Sequence, residues 1–398
     1  MISPPFLVDH LGYSLLSWLA CAIFVILAIF MRRDKVGISH SIPIPFLAYF
    51  IATAIITTTA YIPLMAFFGV SETYANGLCQ VALVVAASGL NIDRRVFRTF
   101  VRLLVVLVCL QALIQYAFPY VKFLTPYGIW FGRSYAPFGS PIFLGAWLAV
   151  AGAWVIPGSS WPYWLLWGLA LAATKTRGAM LAAVVGLLIT NRKVLYRFLM
   201  ANKAVMSVPF ILVMAWGAFR QDGVSKSDSG RIALYAVCAK AIKERPFFGW
   251  GPENAVYAIQ KHRDNRFNEI YGPTTQGHCH NQLLEDAIAG GALMPLVTLL
   301  LALWIFLHMT GDSGRGAFAA YACVGLFNPI PISVSVLGAL IVSANLRKMS
   351  SVKISPILFA TGSLVAALYC ARNYNVMRDS SLPMSVRFPA AKAIGIVD

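Results

Sequence analysis

Between about Arg220 and Leu283 lies a polar island in a greasy chain, with the stretches SDSGRIALY, ERPFFGWGPEN and HCHNQLLE. Its residue types suit moving a proton and holding an anion. His280 can take a proton from a hydroxyl group, because an imidazole titrates near neutral pH. It precedes Asn281, a natural helix cap at the mouth of an apolar span. Arg231 is expected in the first turn of an amphipathic helix capped by Asp228 or Ser229. Ile232, Tyr235, Cys238, Ala239 and Ile242 would form its apolar face and Pro246 would stop it. A guanidinium beside free helix N–H groups makes a phosphate site. Gly249 and Gly251 permit a tight turn around Trp250, whose ring is expected to anchor at a membrane interface or stack on a sugar.

His278, Cys279 and His280 also suggest a metal, but zinc sites usually add a second Cys or His cluster, and none is present. No D-x-D pair occurs, and Asp222, Asp228, Glu244, Glu253, Asp264 and Glu269 are scattered. An enzyme that holds a diphosphate through Mg²⁺ wants clustered carboxylates. Arginines are therefore expected to hold it here, with no metal or cofactor. Of seven cysteines, most fall in apolar segments, so no disulfide framework is expected. Cys238 and Cys279 share the island and would pair only if the fold brought them together.

The elements that must position these residues belong to a membrane. The 398 residues are 59% hydrophobic and 12% charged, with mean hydropathy +0.71, against roughly 25% charged residues in a soluble domain. An all-α polytopic fold follows, since backbone polar groups in lipid must pair internally. About twelve spans are expected, near 12–31, 43–63, 76–91, 101–118, 139–156, 161–173, 177–190, 204–219, 284–308, 317–328, 330–346 and 354–371. The pieces 161–173 and 177–190 are short, and are expected to be tilted or to form a broken pair around TKTRG. Residues 1–398 read as one membrane-embedded domain with 220–283 as its large outer loop. Met1–His10 lacks the basic start of a signal peptide. The net charge of +17 reads as juxtamembrane lysine and arginine, not as a nucleic-acid module.

Basic clusters at 32–35, 93–102, 191–203 and 347–353 are expected to face the cytoplasm. The loops near 119–138, 174–177 and 220–283, and both termini, then face the other side. Arg133, Arg177 and Arg231 sit there against the orientation rule, with Lys175 beside Arg177. One such arginine is explained by snorkelling. Three on one face point to a shared anionic ligand, expected in one outward-facing cavity.

Ser229, Gly230 and Arg231, then Pro246, Gly249 and Gly251, then His280, Asn281 and Leu284, then Gly290 and Gly291, form an ordered series. Upstream, Thr174 to Gly178 and Arg133 to Pro141 extend it. Over about 120 to 291 this resembles the O-antigen ligase and polymerase superfamily. The resemblance implies a metal-independent membrane glycosyltransferase of GT-C architecture at the periplasmic face of the bacterial inner membrane. It would take a glycan from undecaprenyl diphosphate and give it to lipid A-core, as a ligase, or to another repeat unit, as an O-antigen or exopolysaccharide polymerase. By matched position, Arg133, Arg177 and Arg231 would handle the diphosphate with Lys175, and His280 would act on the acceptor. Asn281 and Trp250 would support them. Gln282 departs from the aromatic or acidic residue commoner there. Among these readings the ligase is favoured, on the modest outer loop. A lipid or solute transporter is the alternative of another class, but it should show repeated halves, and no second copy of the motifs occurs.

Overall fold

The computed structural model describes residues 41–61, 66, 77–90, 92–118, 132–135, 138–193, 226–272, 276–346 and 351–353. Thirteen helices and one two-stranded antiparallel sheet appear among them. β1 (Ser41–Pro43) pairs with β2 (Ser351–Lys353), a small addition to the expected all-α architecture. The helices are α1 (Ile44–Thr58), α2 (Leu78–Ser88), α3 (Arg94–Ala117), α4 (Pro141–Val155), α5 (Trp161–Ala173), α6 (Arg177–Thr190), α7 (Lys226–Glu244), α8 (Ala255–Lys261), α9 (Asn265–Tyr271), α10 (Gln282–Gly290), α11 (Leu293–His308), α12 (Asp312–Phe327) and α13 (Ile332–Asn345).

Of the expected crossings, α3 alone among the described residues is both long and apolar enough to span a membrane by itself. α1, α4, α6, α11 and α13 are apolar but only 14–16 residues long. The expected spans 12–31, 204–219 and 354–371 lie outside the described residues. The expected span 284–308 is split: α10 ends at Gly290 and α11 starts at Leu293, with Gly291 at φ +60° between them. The expected break around TKTRG is present, between α5 and α6.

Helix α4 is the centre of the core, with all but two of its fifteen residues buried. Around it α6 and α12 approach closely through glycine. A Cβ at Gly186 would lie 2.7 Å from that of Ala153 and 2.9 Å from that of Ala320. Such small-residue seams let backbones meet where lipid removes the hydrophobic drive between helices. The outer surface is greasy. Leu296, Leu299, Leu300, Leu303 and Leu307 of α11 are 52–59% exposed along one stripe. Leu103, Leu107, Leu110 and Ile114 do the same on α3. Exposed apolar faces of this extent suit lipid, not water.

The bundle has two chemically different ends. At the start of α3, Arg98 and Arg102 donate to the carbonyls of Pro157 and Val155 at the C-terminal end of α4, where the helix dipole is negative. Arg192 and Lys193 pair there with Asp312. The far end of α3, about 36 Å away for 24 residues, carries Tyr116, and near it lie the loops described next.

A second buried cluster sits apart from the bundle core. It joins Leu234, Val237, Cys238 and Ala241 of α7 to Trp250, Ala258, Phe267, Cys279 and Ile288. Two expectations fail here. α7 begins at Lys226, so Arg231 is its sixth residue and lies beyond the first turn, and Asp228 and Ser229 fall inside the helix. Gly230 also sits inside the helix, where it lets Tyr271 pack against the backbone. The apolar face is rotated as well: Ile232 and Ala239 are exposed, while Leu234 and Val237 are buried. The seat of that face is set by the second cluster, not by the bilayer.

Candidate active site

The turn between α5 and α6 holds the first group of cations. Thr174 and Thr176 are buried and work on the backbone. Thr174 Oγ1 donates to Leu171 O at 2.7 Å, and Thr176 Oγ1 to Pro141 O at 3.1 Å. These bonds hold Lys175 at φ +50°. Arg133 binds the same turn, donating from Nε to Thr174 O at 2.9 Å and from Nη2 to Thr176 Oγ1 at 3.1 Å. Its neighbours are fixed to α3, Ser134 Oγ to Ala112 O at 2.6 Å and Tyr135 N to Gln115 Oε1 at 2.7 Å. Lys175 Nζ lies 5.6 Å from the Tyr116 ring centroid. Arg177 is the first residue of α6 and is exposed. Cations beside the free N–H groups of a helix start suit an anion.

The second group surrounds His280. Cys279, just before it, is disulfide-bonded to Cys238 of α7, with Cα atoms 6.5 Å apart; the fold does bring the two island cysteines together. Cys279 N–H also donates to Glu285 Oε2 at 2.9 Å, and the other oxygen of that buried carboxylate meets His278 Nδ1 at 3.1 Å. Asn281 caps α10, as expected, by accepting from Leu284 N. His280 itself has φ +51°. Its Nδ1 is buried and has no hydrogen-bond partner. Burial, then the charges of His278 and Arg231, push its imidazole down to about 4, against the opposing pull of Glu285 and a hydrogen bond with Asn328. Neutral at pH 7, it holds a free lone pair for a proton. Tyr235, one turn past Arg231 on α7, reaches His280 O at 3.4 Å. Among the described residues only Lys175, Glu253 and His280 are non-glycine positions with positive φ. Strained backbone of this kind collects at functional sites.

Both groups rest on the C-terminal end of α12. Phe327 lies against Gly178, next to Arg177. Leu326 O accepts from Asn281 Nδ2 at 3.0 Å, and Asn328, the residue after α12, acts on the His280 imidazole. Arg133, Lys175 and Arg177 thus form one set and Arg231 and His280 another. Among the described residues, no carboxylate is within ion-pair distance of Lys175, Arg177 or Arg231.

Trp250 is not part of this arrangement. It is 2% exposed, donates Nε1 to Ala241 O at 3.0 Å and packs in the second cluster. Burial removes both the interface-anchor and the sugar-stacking readings; Phe247 and Phe248 are the exposed aromatics instead. The expected turn around it is real, with Gly249 and Gly251 at φ +62° and +94°. Gln282 is a strut, accepting from Ile330 N and donating to Asp286 Oδ1, both at 2.8 Å. It also lines an apolar cavity of about 120 Å³ with Tyr49, Thr298 and Tyr321. Glu285, Tyr235 and Asn328 escaped the sequence reading. The adjacent acids Glu285 and Asp286 in an apolar segment were the available signal.

No curated protein matches this chain in sequence. The family model described as O-antigen ligase matches residues 162–299, from the start of α5 into α11. That stretch contains the α5–α6 turn, α7 and the His280 loop, and over it the chain is similar to the O-antigen ligase family.

Proposed function

We propose that the protein is an O-antigen ligase, which moves a polysaccharide from undecaprenyl diphosphate to lipid A-core at the periplasmic face of the bacterial inner membrane. His280 takes the proton from an acceptor hydroxyl, the oxygen attacks the anomeric carbon, and the diphosphate departs with the bonding electrons. Arg133, Lys175, Arg177 and Arg231 neutralise that leaving group. The observation that carries this reading is the meeting of a fixed cationic turn and a neutral, strained histidine on the last turn of one helix. The matched family supports the same chemistry.

Two features support this side of the membrane. The Cys238–Cys279 disulfide belongs in an oxidising compartment. The arginine-rich start of α3 suits the cytoplasm, and the α5–α6 turn is at the opposite end of the bundle. The outer loop, 220–283 within a single membrane domain, is then periplasmic. Metal independence rests on the carboxylates already engaged: Lys240 and Lys261 bind Asp264 and Glu244 at 2.6 Å and hold both below the usual carboxylate range.

The deciding experiment is the lipopolysaccharide banding of a deletion strain. A ligase predicts loss of all long chains while lipid-linked polymer accumulates. A core bearing a single repeat would replace the ligase with a repeat-unit polymerase. Purified enzyme is expected to turn over in EDTA; activity lost there and restored by Mg²⁺ or Mn²⁺ would overturn the metal-free chemistry.

A further inference from the structure

We propose that Cys238 and Cys279 are positioning residues for the transfer reaction, their disulfide holding His280 against the helix that carries Arg231. This rests on the reading of His280 as the base. Arg231, Tyr235 and Cys238 are spaced four and three residues apart on α7, so all three lie along one face. The bond from Cys238 seizes Cys279, the residue directly before His280. Both sulfurs are fully buried in the second cluster, away from the bundle core. Cys279 is held at its other end by Glu285, through its own N–H, and His280 O is reached by Tyr235. The loop before His280 is thus pinned at a side chain and at the backbone, with a positive-φ residue next in line. A histidine in that conformation persists only where its surroundings over-determine it. Without the bond, only the long intervening backbone ties the proton acceptor to the guanidinium it must work beside.

The test uses the full-length protein in lipid nanodiscs, with Cys238→Ser, Cys279→Ser and the double variant beside His280→Ala. Transfer from a lipid-linked donor and donor binding are measured separately. Displacing a reacting group by about 1 Å costs on the order of 10²-fold. We expect each cysteine variant to lose between about tenfold and that much in turnover, with the double variant no worse than either single one. Donor affinity should stay within about twofold. The acid limb of kcat should also move up from near 4 towards the ordinary histidine value, as His280 loosens from the burial that holds it low. The groups facing it are Arg231 and Tyr235 from α7, His278 beside it, Glu285 from α10 and Asn328 after α12. A merely structural disulfide would lower the folded fraction and leave that limb in place.

Should the serine variants fold poorly, wild-type protein is reduced in the nanodisc with a permeant phosphine. The phosphine becomes its oxide as the disulfide gains two electrons and two protons, and the thiols are counted by mass after alkylation. Full turnover in the reduced, folded protein, or an unmoved acid limb, overturns the positioning role. If it is overturned while His280→Ala is dead, the base assignment survives; normal turnover by His280→Ala sinks that assignment itself.

Discussion

The α5–α6 turn and the His280 loop face the same helix end but are built in opposite ways. The first is made from the bundle. Two buried threonines and Arg133 tie its backbone down, and Lys175 and Arg177 are left exposed. The second hangs on a separate small core, held by a disulfide and a buried carboxylate, and its histidine is desolvated. The difference matches the two tasks of glycan transfer. A diphosphate needs fixed charge that stays well hydrated until the ligand arrives. A proton acceptor needs to be neutral, dry and rigid.

The largest effect should separate the two regions outright. His280→Ala is expected to lose the 10²–10⁴-fold that a general base supplies, while donor binding persists. Arg177→Ala should do the reverse and fail first in donor binding. Measuring binding and turnover for both variants checks this, and a His280 variant that simply stops binding donor would erase the distinction.

Next comes the quality of the charge. Arg231→Lys keeps a cation but loses the planar fork, and a loss of about 10²-fold in turnover is expected. Arg133→Lys sharpens the comparison, because Arg133 spends Nε and Nη2 on two directed bonds to the turn. A lysine cannot reproduce that geometry, so the turn should loosen and donor affinity fall by up to about 30-fold, given roughly 1 kcal/mol for each of the two bonds. Wild-type rates for Arg231→Lys would make Arg231 a surface charge.

A smaller, graded effect is the pH dependence. The base works when neutral, and burial lowers His280 to about 4. Transfer should therefore persist as pH falls through 6.5 and decline only near 4. A kcat profile with its acid limb at the ordinary histidine value would show that His280 is more hydrated than its surroundings require.

Much of this was legible in the sequence, for physical reasons that differ by residue. The broken pair around TKTRG was visible because two apolar runs too short to cross flank a polar turn. The Asn281 cap was visible because capping is local chemistry. The break at Gly291 was hidden by hydropathy averaging across 284–308. The start of α7 was misplaced because Asp228 and Ser229 favour caps in isolation, whereas the helix already runs through them from Lys226. The disulfide left no local trace, since 41 residues separate its cysteines. Trp250 was misread because an aromatic between glycines in an outer loop looks like an anchor until the second core is known.

The smallest effects should come from the other two island histidines, which the sequence treats as equals and the structure does not. His262 is a fixture of the small core: Nδ1 bonds Ala258 O and Nε2 bonds Glu244, each at 2.8 Å, with its ring edge-on to Trp250. His262→Ala should leave turnover within about twofold and lower Tm by only about a degree, as a loss of about 1 kcal/mol would in a chain of this length. His278 is different, because its partner Glu285 is 3% exposed and also holds Cys279. Removing it takes one partner from a buried carboxylate, which costs about 1–3 kcal/mol, and it slackens the support under His280. His278→Ala should therefore fall between its neighbours, with turnover down a few-fold at unchanged donor affinity. Thermal melts and single-turnover transfer on the three alanine variants decide it. If His262→Ala is the more damaging of the two, the small core does more than carry the loop, and the division of labour between the two regions is drawn in the wrong place.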